Sequence, residues 1–193
     1  MGYKVITAVA GDVIPLADLR LHLKLDMFGG ATTHPDDALI TKYLADACAH
    51  AQHRTQKSIG QKTLELALDS FPVKTPGIEL ELGASAIVSI KYIDENLVEQ
   101  TIASNLYALD DYSFKHWAIP VAAWPTPAAV ANAVKVRYIT PVELPEGSYT
   151  AILLHVTHFY ENRSAVNADR GVNPTEIPLG VDALLDISRH WSL

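Results

Sequence analysis

Residues 134–163 read VKVRYITPVELPEGSYTAILLHVTHFYENR, and the hydrophobic period changes within them. Val134, Val136 and Tyr138 alternate with Lys135 and Arg137, the pattern of a half-buried strand. From Pro145 onward the period becomes helical. Tyr149, Ile152, Leu153, Val156, Phe159 and Tyr160 fall on one apolar face. A strand feeding a long amphipathic helix points to an α+β chain.

Upstream, three further runs alternate with period two. They are Leu64, Leu66 and Leu68; Ile78, Leu80 and Leu82; and Val88, Ile90 and Tyr92. Asp94-Glu95-Asn96 marks a hairpin turn after the last of them. Before this region, residues 35–57 repeat Ile40, Tyr43, Leu44, Ala47, Cys48 and Ala51 at helical spacing. Pro35 opens that helix, Asp36 and Asp37 place negative charge in its first turn, and Gly60 is the expected terminator. Residues 15–26, PLADLRLHLKLD, fit two templates. Leu19, Leu21, Leu23 and Leu25 alternate as in a strand, yet Leu16, Leu19 and Leu23 share a helical face. A short helix over 15–24 is preferred. Residues 26–34 and 164–178 read as loops, and a last helix fits 180–188.

The expected architecture is therefore α+β. A bundle-like helical core is built from residues 1–60 and 141–187. A small antiparallel β lobe is inserted at 61–140, and residues 188–193 form a tail.

Composition narrows the function. The chain has 193 residues, of which 49% are hydrophobic and 19% charged. Charged usage nearer 25% is ordinary, so part of the surface is expected to be covered by other subunits. Low hydrophobicity with high net charge is absent, which excludes disorder. Cys48 is the single cysteine, which excludes a disulfide scaffold and a four-cysteine zinc site. A net charge of −7 argues against a DNA-wrapping surface. The longest apolar stretch, 118–134, is too short and too broken by proline to span a bilayer. The first residues do not resemble a signal peptide, so folding in a reducing cytoplasm is the default expectation.

Candidate chemistry is thin. Gly29-Gly30 lacks the spacing of a nucleotide loop. Gly83-Ala84-Ser85-Ala86-Ile87 approaches a nucleophile elbow but ends in the wrong residue. His155, His158 and Glu161 lie three apart on one helix and would suit a metal-dependent hydrolase. They lack the four-residue spacing of the metalloprotease motif, so a polar helix edge is the plainer reading. His50 and His53 form a similar pair. The carboxylate pairs Asp36-Asp37 and Asp110-Asp111 could do acid–base work, but the first already has a reason at a helix N-terminus and the second sits in a turn-like stretch, and Cys48 reads as a structural thiol. Trp117 and Trp124 would serve a carbohydrate-binding module but suit sheet packing better. Trp191, in a polar C-terminal stretch, reads as an anchor for a partner.

Taken in order, the segments resemble the head–tail connector (adaptor) proteins of long-tailed bacteriophages and phage-like gene transfer agents. The resemblance runs from about residue 12 to 187. It is carried by PLADLRLHLKLD (15–26), HPDDALI (34–40), TQKSIGQKTLELALDSFP (55–72), SIKYIDENLVEQ (89–100), AILLHVTHFYENR (151–163) and IPLGVDALL (177–185). The loop at 26–34 is longer and richer in Gly and Thr than that pattern, and the histidine-bearing helix departs from a plainer apolar face.

The resemblance implies a structural protein of the virion neck, made in a bacterial cytoplasm, with no catalytic residue, metal or cofactor. It implies a ring, usually of twelve subunits, beneath the portal. The ring extends the DNA channel and carries stopper or tail proteins. A stopper or tail-completion role is the alternative. Asp186, Ile187, Ser188, Arg189, His190, Trp191, Ser192 and Leu193 are expected to bind the portal. Tyr149, Phe159, Tyr160, Glu161 and Arg163 are expected at the subunit interface. Twelve copies at −7 each carry −84 formal charges, so an acidic lumen would let packaged DNA slide without sequence-specific contact.

Overall fold

The computed structural model describes residues 2–7, 13–25, 32–73, 77–113, 115–162 and 179–189. Among these described residues the fold is α+β, with four α-helices and two antiparallel sheets of five and three strands. The chain divides into two compact units, one holding the sheets (1–10 and 60–143) and one the helices (11–59 and 144–193).

The helices are α1 (Leu16–His22), α2 (Asp37–Thr55), α3 (Ser148–Glu161) and α4 (Leu179–Asp186). Helix wins over strand at α1 because Leu19 is fully buried while Leu21 is 79% exposed. Burying Leu19 and leaving Leu21 out follows the 3.6-residue period. The stripe Ile40, Leu44, Ala47 and Ala51 of α2 shares one core with Ala151, Ile152 and Val156 of α3 and with Val181 and Leu185 of α4. Cys48 packs against the same core. Gly60 does not end α2. Gln56 does, at φ 57, with its N–H on the Gln52 carbonyl. A polar side chain bears the left-handed cap at modest cost, so the glycine is not needed there.

The strands are β1 (Gly2–Thr7), β2 (Thr63–Leu68), β3 (Ile78–Leu80), β4 (Ala86–Ile93), β5 (Glu99–Ile102), β6 (Tyr107–Asp110), β7 (His116–Pro120) and β8 (Val134–Ile139). The five-stranded sheet runs β1-β2-β8-β4-β5 and the three-stranded sheet β3-β7-β6. Register explains how one sheet separates core from surface. Tyr3, Leu66, Val136, Ile90 and Ile102 stand in one row across it. Lys4, Glu65, Arg137 and Ser89 form the neighbouring row, on the opposite face. Leu64, Leu66, Val134, Val136, Tyr138 and Ile90 then join Ile78, Leu80 and Ala118 of the smaller sheet in a second core. Each such aliphatic side chain contributes about 1.5–3 kcal/mol when fully buried.

Two expectations are corrected. The β portion is more than a small lobe, since eight strands contribute to it. It also takes residues 2–7, which the sequence pattern groups with the helices. GYKVIT is exposed along its whole length, so burial imposes no two-face alternation for the eye to find.

Candidate assembly surfaces

In the helical unit, the exposed flank of α3 starts at Tyr149, which is 42% exposed and donates its hydroxyl to Asp18 at 2.9 Å. Glu161 is exposed at the other end. Between them, Phe159 turns inward against Tyr43, with ring centres 5.6 Å apart, and Tyr160 donates its hydroxyl to Asp36. The structure therefore brings Phe159 and Tyr160 to the helical core's edge and leaves Tyr149 and Glu161 facing out. Arg163 lies outside the described residues.

His155 is not on a polar edge. It is 2% exposed, edge-on to His50 at 4.8 Å and tilted over Phe159 at 4.3 Å. Burial, then the neighbouring His50 and His158, push its pKa down to about 4. The ring is neutral at pH 7 and acts as a polar core residue. Its position follows from α3 offering the same face as Ile152 and Val156 to α2 and α4. His158 is half-buried beside Asn162, and Glu161 points away. Among the described residues, no group of three His, Cys, Asp or Glu side chains is placed to hold a metal. His53 is exposed, whereas His50 lies inward with Nε2 4.0 Å from Asp182.

The last helix is held by a cluster that sequence reading missed. Arg54 donates to both carboxylate oxygens of Asp186, at 2.8 and 2.7 Å, and reaches Asp182 at 3.4 Å. The Arg54 bonds hold the Asp186 carboxyl below its usual range. A signal was present, because His50 and Arg54 are four apart on α2, as are Asp182 and Asp186 on α4. Such spacing places each pair on one helix face. Of the expected portal-binding segment, Asp186 is thus engaged by α2, and Ser188 is buried with its hydroxyl 3.5 Å from the Leu185 carbonyl. Arg189 lies 3.6 Å from Asp186, and Ile187 is 60% exposed. His190, Trp191, Ser192 and Leu193 lie outside the described residues.

Gly147 explains how α4 comes so close to the start of α3. It sits at φ 78, and a Cβ there would lie 2.4 Å from the Leu184 carbonyl oxygen. Only glycine fits that approach.

In the sheet unit, Ser85 spends its hydroxyl on the carbonyls of Ile139 and Thr140, at 3.2 Å each, in the turn between β3 and β4. Asp110 accepts from the Tyr112 N–H and the Ser113 hydroxyl, a turn-closing role. Asp37 accepts from Arg20 at 2.8 Å and from the His34 N–H at 2.7 Å, so the first carboxylate pair is also structural. Trp124 stacks on Phe71 with centres 4.8 Å apart and planes 9° from parallel. Those two rings line a cleft of about 440 Å³ with Pro72, Val73, Pro120 and Pro125. Trp117 sits within β7, with Glu79 and Asp110 as its cross-strand partners.

The outer face of the large sheet carries an ion-pair ladder. Arg137 donates to Glu65 at 2.6 Å, and Glu99 lies 2.7 Å from Lys91 and 3.6 Å from Lys135. This offsets the like-charge opposition of Lys91 and Lys135, which are cross-strand partners.

With that geometry in hand, known structures supply a match. The chain shares its fold along its whole length with a chain in the virion of a native gene transfer agent (GTA) particle. The TM-score is 0.76 at 23% identity, covering 100% of this chain and 97% of the other. The same values hold for a chain in the neck of the empty GTA particle computed with C6 symmetry. A chain in the neck of the native particle computed with C12 symmetry gives 0.74 and 22%, with the same coverage. A scan of protein-family models finds no match, and a search of curated proteins finds none. Among the described residues no helix is long and apolar enough to cross a membrane.

Proposed function

We propose that this chain is a structural head–tail connector (adaptor) of a phage-like particle. It forms a ring, of twelve subunits, beneath the portal. The ring continues the DNA channel and gives stopper and tail proteins a platform. The observation that carries this reading is the fold shared end to end with chains of a GTA neck of C12 symmetry. The chemistry supports it. Ser85, His155 and the carboxylates of Asp37 and Asp110 are all committed to structural bonds or burial.

A closed ring uses heterologous contacts, in which one face of a subunit meets a different face of the next. The scarcity of surface charge fits a chain whose flanks meet neighbours. In this reading the exposed flank of α3, from Tyr149 to Glu161, belongs to a subunit contact. The segment after α4 reaches the portal, and the net charge keeps packaged DNA from adhering to the lumen.

Weighing the portal with and without the chain tests the stoichiometry. Twelve chains of 21.0 kDa should add 252 kDa. A single added copy, or none, would contradict the proposal.

A further inference from the structure

The hairpin between β4 and β5 holds a residue that its turn does not ask for. Leu97 sits at φ 61, a left-handed conformation that glycine or asparagine adopts more easily. Its side chain is 69% exposed, and that of the next residue, Val98, is 52% exposed. Leu97 therefore gains little from burial within the chain, and glycine would serve the turn better. Strain that neither the turn nor the core explains is a pointer to function.

The tip is fixed by its own bonds. The Asp94 N–H donates to the Val98 carbonyl and the Leu97 N–H to the Asp94 carbonyl, each at 2.9 Å. The Asp94 carboxylate accepts from the N–H groups of Asn96 and Val98, at 2.9 and 3.0 Å, and from the Gln100 side chain at 2.8 Å. Two adjacent apolar side chains are thus held out on a defined support.

The same unit carries a hole. The cleft of Phe71 and Trp124 has Pro72, Pro120, Pro125 and Val73 on its walls, and none of its described lining residues is charged. Proline has no N–H to donate, so the cleft offers mainly apolar contact. Val73 is 96% exposed there. The loop that forms the cleft is bonded to the end of β4, where the Ala128 N–H meets the Ile93 carbonyl at 2.8 Å. The hairpin leaves β4 at that same end. Projection and cleft therefore lie at one level of the sheet unit. Rotation about a ring axis keeps every point at its own height, so the two halves of a contact between neighbours must share a level.

A closed ring needs each subunit to carry both halves of a heterologous contact. An exposed apolar projection and an apolar cleft elsewhere on the same chain are such halves. We propose that Leu97, with Val98, of one copy occupies the Phe71–Trp124 cleft of the next copy. This rests on the ring reading above and adds a contact made between sheet units.

Two single-cysteine chains test it, both with Cys48→Ala. One carries Leu97→Cys and the other Val73→Cys, so a disulfide between the two variants joins different copies. Rings assembled on the portal from equal parts and oxidised with copper–phenanthroline should give this mixed disulfide, in excess over both same-variant disulfides, in mass spectrometry of the digest. Leu97→Gly separates contact from folding. It should keep or raise the melting midpoint, because it relieves the left-handed backbone, yet raise the concentration needed for assembly at least tenfold. Leu97→Met should assemble as the parent does.

Rings without the mixed disulfide, or normal assembly of Leu97→Gly, would overturn the contact and leave the ring standing. If the disulfide is missing and Leu97→Gly still fails to assemble, the tip belongs to another partner and the contact with the cleft falls. A lowered midpoint in Leu97→Gly would make Leu97 a folding residue and overturn the proposal. The mixed disulfide in open chains would keep the contact and overturn the ring. Both fall if the parent forms no ring and the variants no disulfide.

Discussion

Arg54, near the end of α2, holds Asp186, at the end of α4, through two hydrogen bonds of 2.8 and 2.7 Å across 132 residues of sequence. This fork fixes the helix from which the C-terminal segment departs. Charge-assisted paired bonds are among the stronger polar contacts. Arg54→Ala should lower the thermal midpoint and loosen α4. Asp186 is held below its usual pKa, so its contribution is present above the unfolded value of about 3.9 and is lost as pH falls through the folded one. Melting curves between pH 5 and 2 should show a shallower acid decline in Arg54→Ala than in the parent. Identical curves would contradict the role of the fork.

His155 adds acid sensitivity of the same sign in a higher pH window. Its folded pKa of about 4 lies below the ordinary 6.5. The unfolded chain therefore takes up a proton first as pH falls. Stability should be constant above the unfolded value and decline between pH 6.5 and 4, by up to about 3 kcal/mol. His155→Leu should remove that slope. Denaturant titrations across this range check it, and a slope that survives would show that other groups carry it.

Gly147→Ala should destabilise the helical unit by roughly 2–4 kcal/mol, because it adds a clash with the Leu184 carbonyl to a left-handed backbone. The clash distance is 2.4 Å. A change below about 0.5 kcal/mol in urea denaturation would mean that α4 moves aside at little cost.

Deleting residues 190–193 should leave the melting midpoint unchanged and reduce portal attachment at least tenfold. The cut falls after Arg189 because Ser188 is buried and Arg189 pairs with Asp186. Removing those two would mix unfolding with lost binding. Attachment at wild-type strength after the cut would remove the tail from the portal contact.

What was legible in the sequence was whatever burial had written into a period. The stripe of α2, the alternation of β2 and β8, and the switch to helix after Pro145 all follow that rule, whereas in β4 Ile90 is buried but Val88 is 50% exposed at a register shift between Ile87 and Ser89. Leu19 and Leu21 show why the ambiguous 15–26 segment resolves as helix, since only one of the two can enter the core. β1 escaped because none of its residues is buried. β6 and β7 escaped because four- and five-residue strands with half-buried faces leave too few alternations to count. His155 was misplaced because histidine spacing alone does not say which helix face is buried. The Arg54–Asp186 fork joins residues far apart in the chain, and its four-residue spacings were visible but had no partner until the helices were placed.

Electron imaging of the chain mixed with the portal tests the central claim most directly. The account predicts twelvefold rings of this chain stacked coaxially on the portal, with the channel continuous through both. Portals that stay bare, or that carry the chain at a few scattered positions without ring closure, would contradict it.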